Sequence, residues 1–244
     1  MTGHRGQRTS DMPTSPDSGA GETTSYFQAL FSAPDANLYG WSPVRIYSAG
    51  IELFRQNDSP TEVFFIERGI VKISCAGTNG KEVIIGLRRR NWLLGVPQAI
   101  TGDLSSATAT TLTRCAMRCI SAEALVSKLT RDLPLSVELN RLLSREIRGD
   151  LEKIATLGCM PATERLKAFL HELLSEEELD ELWKKDRLEL PLKNDELAQI
   201  VAVTQQHLYR LLKDPDLRAH IKQSKRILTI NDPLAFMAKV SPQS

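Results

Sequence analysis

The feature that most constrains the fold is a long stretch with helical periodicity in the middle of the chain. Residues 133–158 read "LPLSVELNRLLSREIRGDLEKIATLG", with apolar side chains recurring at helical spacing and charged ones between them. This spacing predicts a helix of about 24 residues, about 36 Å long at about 1.5 Å per residue, that ends at Gly158 ahead of Pro161. The apolar stripe consists of Leu135, Leu139, Leu142, Ile147, Leu151 and Ile154.

A helix of this length with a narrow apolar stripe usually pairs with another helix. The stripe is longer than a small β-barrel could cover, so we expect these residues to form an interface with a second copy of the chain. The alternative is that the helix lies along the chain's own barrel, which would bury the same stripe without a partner.

Ahead of this helix, from Gly50 to about Ile120, short apolar runs alternate with turn residues. The run "VFFIERGIVKIS" predicts two strands joined at Gly69. The run "GTNGKEVIIGL" predicts a hairpin turn at Asn79–Gly80, because these residues tolerate positive φ, and "CAMRCI" closes the series. Short strands at intervals of about ten residues predict a barrel or sandwich rather than βαβ units.

The N-terminus has a different composition. Residues 1–24 are rich in Gly, Ser, Thr and Pro and have almost no large apolar side chains, which predicts a disordered tail. The sequence has neither the apolar run of about 18 residues that a membrane span needs nor the apolar region of a secretory signal. We therefore expect a cytoplasmic protein without a membrane partner.

Residues 194–213, "NDELAQIVAVTQQHLYRLLK", predict two short helices joined by a tight turn. Asn194 or Asp195 can cap the first helix and Thr204 the second, since these side chains accept hydrogen bonds from free backbone N–H groups. Ala202 stands in the turn where glycine is common, so we expect either a turn without positive φ or some backbone strain. The predicted core-facing residues are Leu197, Ile200, Val201, Leu208, Leu211 and Leu212.

Three polar residues of the second helix are not explained by a core. At about 100° per residue, Gln205, Gln206 and Arg210 point away from the apolar face. Glutamine pairs with adenine and arginine with guanine in the major groove, so the pattern is typical of a DNA-binding helix-turn-helix. The alternative is a solvated helical hairpin with no DNA contact.

Local charge favours DNA binding, although 31 basic and 30 acidic residues leave the whole chain close to neutral. Residues 205–230 contain six basic and two acidic residues, and "HIKQSKRILTINDP" predicts a basic β-hairpin that ends at Pro233. Such a hairpin would act as a wing that contacts phosphates without reading sequence. The predicted DNA contacts are Thr204, Gln205, Gln206, Arg210, Lys213, Lys225 and Arg226.

This order of parts resembles the Crp/Fnr family of bacterial transcription regulators. The resemblance covers roughly residues 50–233 and is carried by "FFIERGIVKIS", "NGKEVIIGL", the Gly95 turn and "LKNDELAQIVAVTQQHLYRLLK". It implies an α+β fold with an N-terminal antiparallel, jelly-roll-like β-roll, a long dimerisation helix and a C-terminal winged helix-turn-helix. We accordingly expect a tail over 1–24, an effector domain over 25–127, the dimerisation helix over 128–158 and the DNA-binding domain over 159–244.

The resemblance also implies the partners: a second copy of the chain, a palindromic double-stranded DNA operator, and RNA polymerase. The family's recognition helix usually shows an Arg-Glu-x-x-x-Arg set, and the matching positions are Gln205, Gln206 and Arg210. Only the last arginine of this set is kept, so the identity of the bases at the outer operator positions is left open. Activation and repression are also left open, because that choice depends on operator placement.

The effector positions depart from the family pattern. Cyclic-AMP-binding members carry Gly-Glu-Leu and Arg-Ser, where this chain has Gly95-Val96-Pro97 and Ser105-Ser106. Without the arginine a cyclic phosphate loses its charge-assisted partner, and Asp150 on the long helix would repel it. We therefore expect a regulator that does not depend on cyclic AMP. The residues matching the effector pocket are Gly95, Val96, Ser105, Ser106 and Asp150.

Cysteine and histidine placement bears on cofactors and on catalysis. Oxygen-sensing members of the family hold an iron–sulfur cluster on cysteines near the N-terminus, but no cysteine precedes Cys75 and no C-x₂-C occurs. Cys115 and Cys119 on one strand would lie about 13 Å apart. We predict no cofactor, no metal site and no catalytic residue, with Cys159 as the candidate redox group. Metal enzymes of the cupin class need histidines on the strands, and this chain has only His4, His171, His207 and His220.

Two alternatives remain at this stage. One is a regulator gated by a cyclic nucleotide or by a redox signal through cysteine, and the other is a cyclic-nucleotide-gated module that does not bind DNA. A further basic run, Arg88-Arg89-Arg90, is expected to be an exposed strand end with solvated charges.

Overall fold

The computed structural model describes residues 40–77, 82–174, 183–184 and 187–240. The predicted N-terminal tail, the Asn79–Gly80 turn and most of the acidic segment 175–186 lie outside the described residues. The fold is α+β, as expected, with strands in the N-terminal half and helices together with a small sheet in the C-terminal half.

The N-terminal half is a β-roll of two four-stranded antiparallel sheets with the strand orders β1-β8-β3-β6 and β2-β7-β4-β5. Apolar side chains of both sheets, among them Phe64, Met117 and Ile73, fill the space between them. The strands are β1 (Arg45–Tyr47), β2 (Glu52–Phe54), β3 (Glu62–Arg68), β4 (Val71–Ala76), β5 (Glu82–Arg88), β6 (Leu93–Leu94), β7 (Thr108–Thr111) and β8 (Cys115–Ser121).

The turn between β3 and β4 requires glycine. Gly69 has φ of +98°, and a Cβ at this position would lie 2.5 Å from the carbonyl oxygen of Arg114. The next residue, Ile70, is 1% exposed and points into the core of the C-terminal half. The predicted turn is therefore present, and it also connects the two halves of the chain.

Helix α1 (Val96–Thr101) lies between β6 and β7, whereas α2 (Ala122–Leu129) and α3 (Leu133–Cys159) lead from β8 to the C-terminal half. The 27-residue α3 begins after Asp132, whose carboxylate accepts a hydrogen bond from the N–H of Leu135, and it ends ahead of Pro161. The segment 128–158, expected as one helix, therefore contains the end of α2, a turn and α3. Cys159 is the last residue of the long helix.

The apolar stripe of α3 divides into two parts, which corrects the expectation of one continuous interface. Leu135 and Leu139 are 4% and 3% exposed and pack, with part of Leu142, against the β-roll. Ile147, Leu151 and Ile154 are 61%, 59% and 66% exposed. The first turns of the helix thus place their leucines on the chain's own β-roll. In the later turns Glu146 and Asp150 face Arg88 of β5, and the apolar side chains point to solvent.

The C-terminal half consists of helices around one antiparallel sheet of order β11-β12-β10-β9. Its core is rich in leucine, with Leu166, Leu170, Leu188, Leu197 and Leu228 fully buried. The elements are α4 (Ala162–Leu174), β9 (Trp183–Lys184), β10 (Arg187–Leu190), α5 (Asn194–Ile200), α6 (Gln205–Leu211), α7 (Pro215–Arg218), β11 (Ile221–Gln223), β12 (Leu228–Asn231) and α8 (Pro233–Val240). Of these, β9, β10, α7 and α8 were not predicted.

We expect Gly69→Ala to lower the free energy of unfolding by about 3 kcal/mol, because the new methyl group meets backbone atoms at a positive φ. Gly102→Ala is the matched control, since Gly102 has φ of +76° but no atom within 4 Å of the added Cβ. The control should lose only about 1 kcal/mol. Urea denaturation measures both, and equal losses would contradict the role given to the Arg114 carbonyl.

Candidate DNA-binding site

The first helix of the pair, α5, is capped by its own third residue. Lys193 occupies the cap position, and its N–H donates to the Glu196 carboxylate at 2.9 Å. This corrects the predicted cap at Asn194 or Asp195, because the helix begins one residue earlier than that cap requires. The Glu196 arrangement is half of a capping box, in which the N3 glutamate reaches back to the cap N–H.

Of the two conformations expected for the turn after α5, the structure has the strained one with a positive φ. Ala202 adopts φ of +54°. The guanidinium of Arg165, on α4, donates to the carbonyl oxygens of Val201 at 3.0 Å and Ala202 at 3.2 Å. Val201 and Ala202 both lie at the junction of the two helices, so Arg165 holds this junction on α4.

The second helix, α6, has one buried side and one exposed side. Thr204 caps it as predicted, accepting a hydrogen bond from the N–H of His207 at 3.2 Å. Leu208 is 2% exposed in the core, and Leu211 and Leu212 pack against the same cluster. Gln205, Gln206 and Arg210 are all exposed on the other side.

Tyr209 also belongs to this exposed surface, although it was not predicted. It is 64% exposed, and the ammonium of Lys213 lies 4.5 Å from the centroid of its ring. Its position beside Arg210, off the leucine stripe, is the sequence signal that would have indicated exposure. A large aromatic side chain open to solvent next to Arg210 enlarges the surface available to a ligand.

The basic hairpin is present and is joined to the helix pair. Strands β11 and β12 pair antiparallel, with Ile221 opposite Ile230, and Lys225 and Arg226 are exposed at the connecting turn. The Gln223 amide donates to the carbonyl oxygen of Leu192, just ahead of α5, at 2.9 Å. The helix pair and the hairpin therefore form one structural unit, the winged helix-turn-helix.

The run Arg88-Arg89-Arg90 is not the solvated strand end that was expected. Arg88 and Arg89 are each 8% exposed. The Arg88 guanidinium stacks over Trp92 at 4.4 Å and donates to Glu146 on α3 at 2.9 Å, with Asp150 at 3.9 Å. The buried charge of Arg88 is offset by these acidic groups of the long helix, and that of Arg89 by Glu172 of α4 at 3.0 Å. The sequence of the strand alone does not show these partners.

The residues that match the effector pocket are mostly engaged in the fold. Val96 and Ser105 are each 1% exposed, and the Ser105 hydroxyl donates to the carbonyl oxygen of Ala107 at 2.7 Å. Gly95 begins α1 with φ of +85°, and Ser106 is exposed. An open depression of about 420 Å³ near Asp58 and Phe64 is lined by none of these residues.

The four cysteines are all unpaired thiols. Burial raises the pKa of Cys75, Cys115 and Cys119, whereas Cys159 is exposed. Within the described part of the chain, no three His, Cys, Asp or Glu side chains come together as a metal site would require. No helix among the same residues is long and apolar enough to cross a membrane.

Comparisons with known proteins agree with this architecture. Residues 44–132 match the model of the cyclic nucleotide-binding domain. The fumarate and nitrate reduction regulatory protein of Vibrio cholerae is 34% identical over 125 residues, which is 51% of this chain and about half (49%) of that relative. The anaerobic regulatory protein of Haemophilus influenzae is 29% identical over 74% of this chain and 69% of its own length. These matches support the assignment of the chain to the Crp/Fnr family.

Solved structures show the same fold. A transcriptional regulator of the CRP/FNR family from Thermus thermophilus superposes with a TM-score of 0.64 at 16% identity, covering 82% of this chain and 99% of that one. The predicted fold, with a β-roll, a long helix and a winged helix-turn-helix in that order, is thereby confirmed.

The carboxylate of Glu196 gives a pH prediction. Burial raises its pKa, but hydrogen bonds from Lys72 and from the N–H of Lys193 outweigh burial, so the pKa lies below the ordinary 4.5. A depressed carboxylate pKa stabilises the fold above pH 4.5, and this contribution is lost as the pH falls through the folded-state pKa. Glu196→Gln should therefore be less stable than wild type at pH 7, and the difference should shrink toward pH 3.

Urea denaturation across that range measures the effect. Glu152→Gln is the control, because the Glu152 side chain is 73% exposed and its ion pair with Arg148 is long, at 3.8 Å. The control should follow the wild-type pH dependence, and a Glu196→Gln deficit that stayed constant with pH would contradict the assignment.

Proposed function

We propose that this chain is a sequence-specific DNA-binding transcription regulator that acts as a homodimer on a palindromic operator. The observation that carries the proposal is α6, whose apolar side is buried while Gln205, Gln206 and Arg210 face solvent behind a Thr204 cap. A structural helix needs only its buried side. The exposed side offers the donors and acceptors that read base edges.

Base reading is assigned to three residues and phosphate contact to three others. The Gln205 and Gln206 amides can each both donate to and accept from an adenine, and the Arg210 fork matches the two acceptors of a guanine. Lys213 and the wing residues Lys225 and Arg226 would neutralise phosphates and set the register on the duplex. Thr204 would hold the helix end and contact the backbone.

The exposed part of the α3 stripe supports the homodimer. Ile147, Leu151 and Ile154 are spaced by four and then three residues, the a/d spacing of a two-stranded coiled coil, and all are more than half exposed. Isolated large apolar groups are normal on a surface, but a row of three along one helix is typical of an interface. A two-fold dimer through this row would place two copies of α6 on the two halves of a palindrome.

The effector positions favour regulation without cyclic AMP. The hydroxyl of Ser105 already donates within its own loop, and the chain has serine where the phosphate-binding arginine of cyclic-AMP-binding members stands. As a transcription regulator, the dimer would act on RNA polymerase, and the position of the operator would decide whether it activates or represses.

Selection of bound DNA from a random pool tests the proposal, followed by calorimetric titration with cyclic AMP. We expect a palindromic consensus from the selection and no heat from the titration. Recovery of no preferred sequence would contradict sequence-specific binding.

Arg210→Ala should cost about 1–3 kcal/mol in operator binding and relax discrimination at one base position in each half-site, because it removes a bidentate contact. Lys225→Ala is the matched control for loss of one positive charge. It should weaken binding to all sequences alike and lower the salt slope by about one. Competition assays with operator and mutated duplexes separate the two, and unchanged selectivity in Arg210→Ala would refute base reading by Arg210.

Ile154→Glu should shift the chain toward monomer and weaken operator binding, because it places a charge in the apolar row of the proposed coiled coil. Ile100→Glu is the control, since Ile100 is 48% exposed but lies on α1, away from the stripe. Analytical ultracentrifugation measures both variants. A wild-type chain that is monomeric at concentrations where it binds its operator would refute the dimer.

A further inference from the structure

The β-roll holds the first helix of the winged helix-turn-helix through a charged side-chain pair. The ammonium of Lys72, on β4, lies 2.8 Å from one carboxylate oxygen of Glu196, on α5. The two side chains are 15% and 9% exposed. The other oxygen of Glu196 accepts the N–H of Lys193. One carboxylate therefore both caps α5 and connects it to the β-roll.

A second contact uses the edge of the β-roll. Strand β5 is the last strand of its sheet, so one row of its N–H groups has no partner strand. The N–H of Ile84 donates at 3.0 Å to the side-chain oxygen of Gln199, one helical turn along α5 from Glu196. The helix thus covers part of an edge that would otherwise be open to pairing with another chain.

A third contact lies on α4, in the same half of the chain. The Arg89 guanidinium donates at 3.0 Å to the backbone carbonyl of Glu172 and at 3.0 Å to its carboxylate. Ile70, Leu87 and Leu112 of the β-roll pack against the leucine core between these polar contacts. Two ion pairs and two further hydrogen bonds thereby flank an apolar centre, and together they hold the two halves in one orientation.

This orientation leaves the DNA-reading side of α6 free. Glu196 and Gln199 face the β-roll from α5, whereas Gln205, Gln206 and Arg210 are exposed to solvent on α6. The interface does not cover any residue to which base reading is assigned. The docked state is therefore compatible with DNA binding, and not a state in which the reading helix is masked.

We propose that Lys72 and Glu196 are positioning residues, which hold the winged helix-turn-helix on the β-roll in the orientation that binds the operator. This inference rests on the proposed function. A dimer must present two copies of α6 about 34 Å apart, one turn of the duplex, and a unit that moves freely on its linker loses that spacing. Fixing the orientation before binding reduces the entropy that association costs. The positioning needs no small-molecule effector.

The test uses Lys72→Gln, Glu196→Gln and the double variant in the full-length chain. Glutamine at position 196 can still reach back to the cap N–H, so it removes the charge of the pair and keeps the cap. Each single variant should weaken operator binding about three- to tenfold, and the double variant should be no weaker than the worse single variant, because both changes break one contact. Discrimination between operator and mutated duplexes should not change. Glu82→Gln is the matched control: Glu82 lies 3.9 Å from Lys72 but on the β-roll side, and its loss should leave affinity unaltered.

Amide hydrogen exchange at Ile84 provides a readout of the contact itself. This N–H bonds to Gln199 and not to a neighbouring strand, so its protection reports the docking of α5. Exchange at Ile84 should accelerate at least about tenfold in Lys72→Gln, Glu196→Gln and Gln199→Ala, while amides in the interior strand β3 remain protected. Gln199→Ala tests the interface without altering either charge.

The outcomes separate this inference from the proposed function. Faster exchange at Ile84 with unchanged or tighter operator binding overturns the positioning role, as does an unprotected Ile84 in the wild-type chain that still binds its operator. Additive losses in the double variant also overturn it, because they would mean that the two residues act apart. A wild-type chain with a protected Ile84 that selects no DNA overturns the proposed function, and the positioning role with it.

Discussion

The burial of Ile70 in the leucine core of the C-terminal half is the contact on which the arrangement of the two halves depends. Gly69 allows the β3–β4 turn to fold tightly enough to project this side chain out of the β-roll, and the Ile70 N–H is satisfied by the Thr113 hydroxyl at 2.9 Å. Because the core also holds α4, α5, α6 and the wing, a single apolar cluster joins the DNA-binding unit to the β-roll.

Charged side chains surround this core and set the relative orientation of the elements that pack on it. Apolar packing alone tolerates sliding and rotation, whereas Lys72, Arg88 and Arg89 each find a specific acidic partner on another element. Removing one partner of such a pair leaves a buried charge unpaired, which costs more than the pair itself contributes. The pairs therefore specify one orientation of the β-roll, the long helix and the winged helix-turn-helix more than they add to overall stability.

The long helix shows how one sequence pattern can serve two surfaces. Its apolar side chains recur at steps of four or three residues, apart from one step of five between Leu142 and Ile147, and this periodicity predicted the helix. At about 100° per residue, that step turns the last three members of the row about 120° around the helix axis relative to the first three. The β-roll covers Leu135 and Leu139, and farther along the helix Glu146 faces Arg88 of β5, so Ile147 is left exposed. Similarly, Arg88 and Arg89 at the end of β5 were expected to be solvated, but Glu146 of α3 and Glu172 of α4 lie beside them.

The sequence by itself determined the elements whose cause is local: the Gly69 turn, the Thr204 cap, the basic hairpin and the polar side of α6, each set by neighbouring residues. Only the tertiary structure decided which groups meet across the chain. Lys72 and Glu196 are 124 residues apart, and neither residue type nor spacing predicts their contact. Long-range pairs are fixed by how the apolar surfaces of different elements fit together, and that fit is a property of the packed molecule and not of any segment within it.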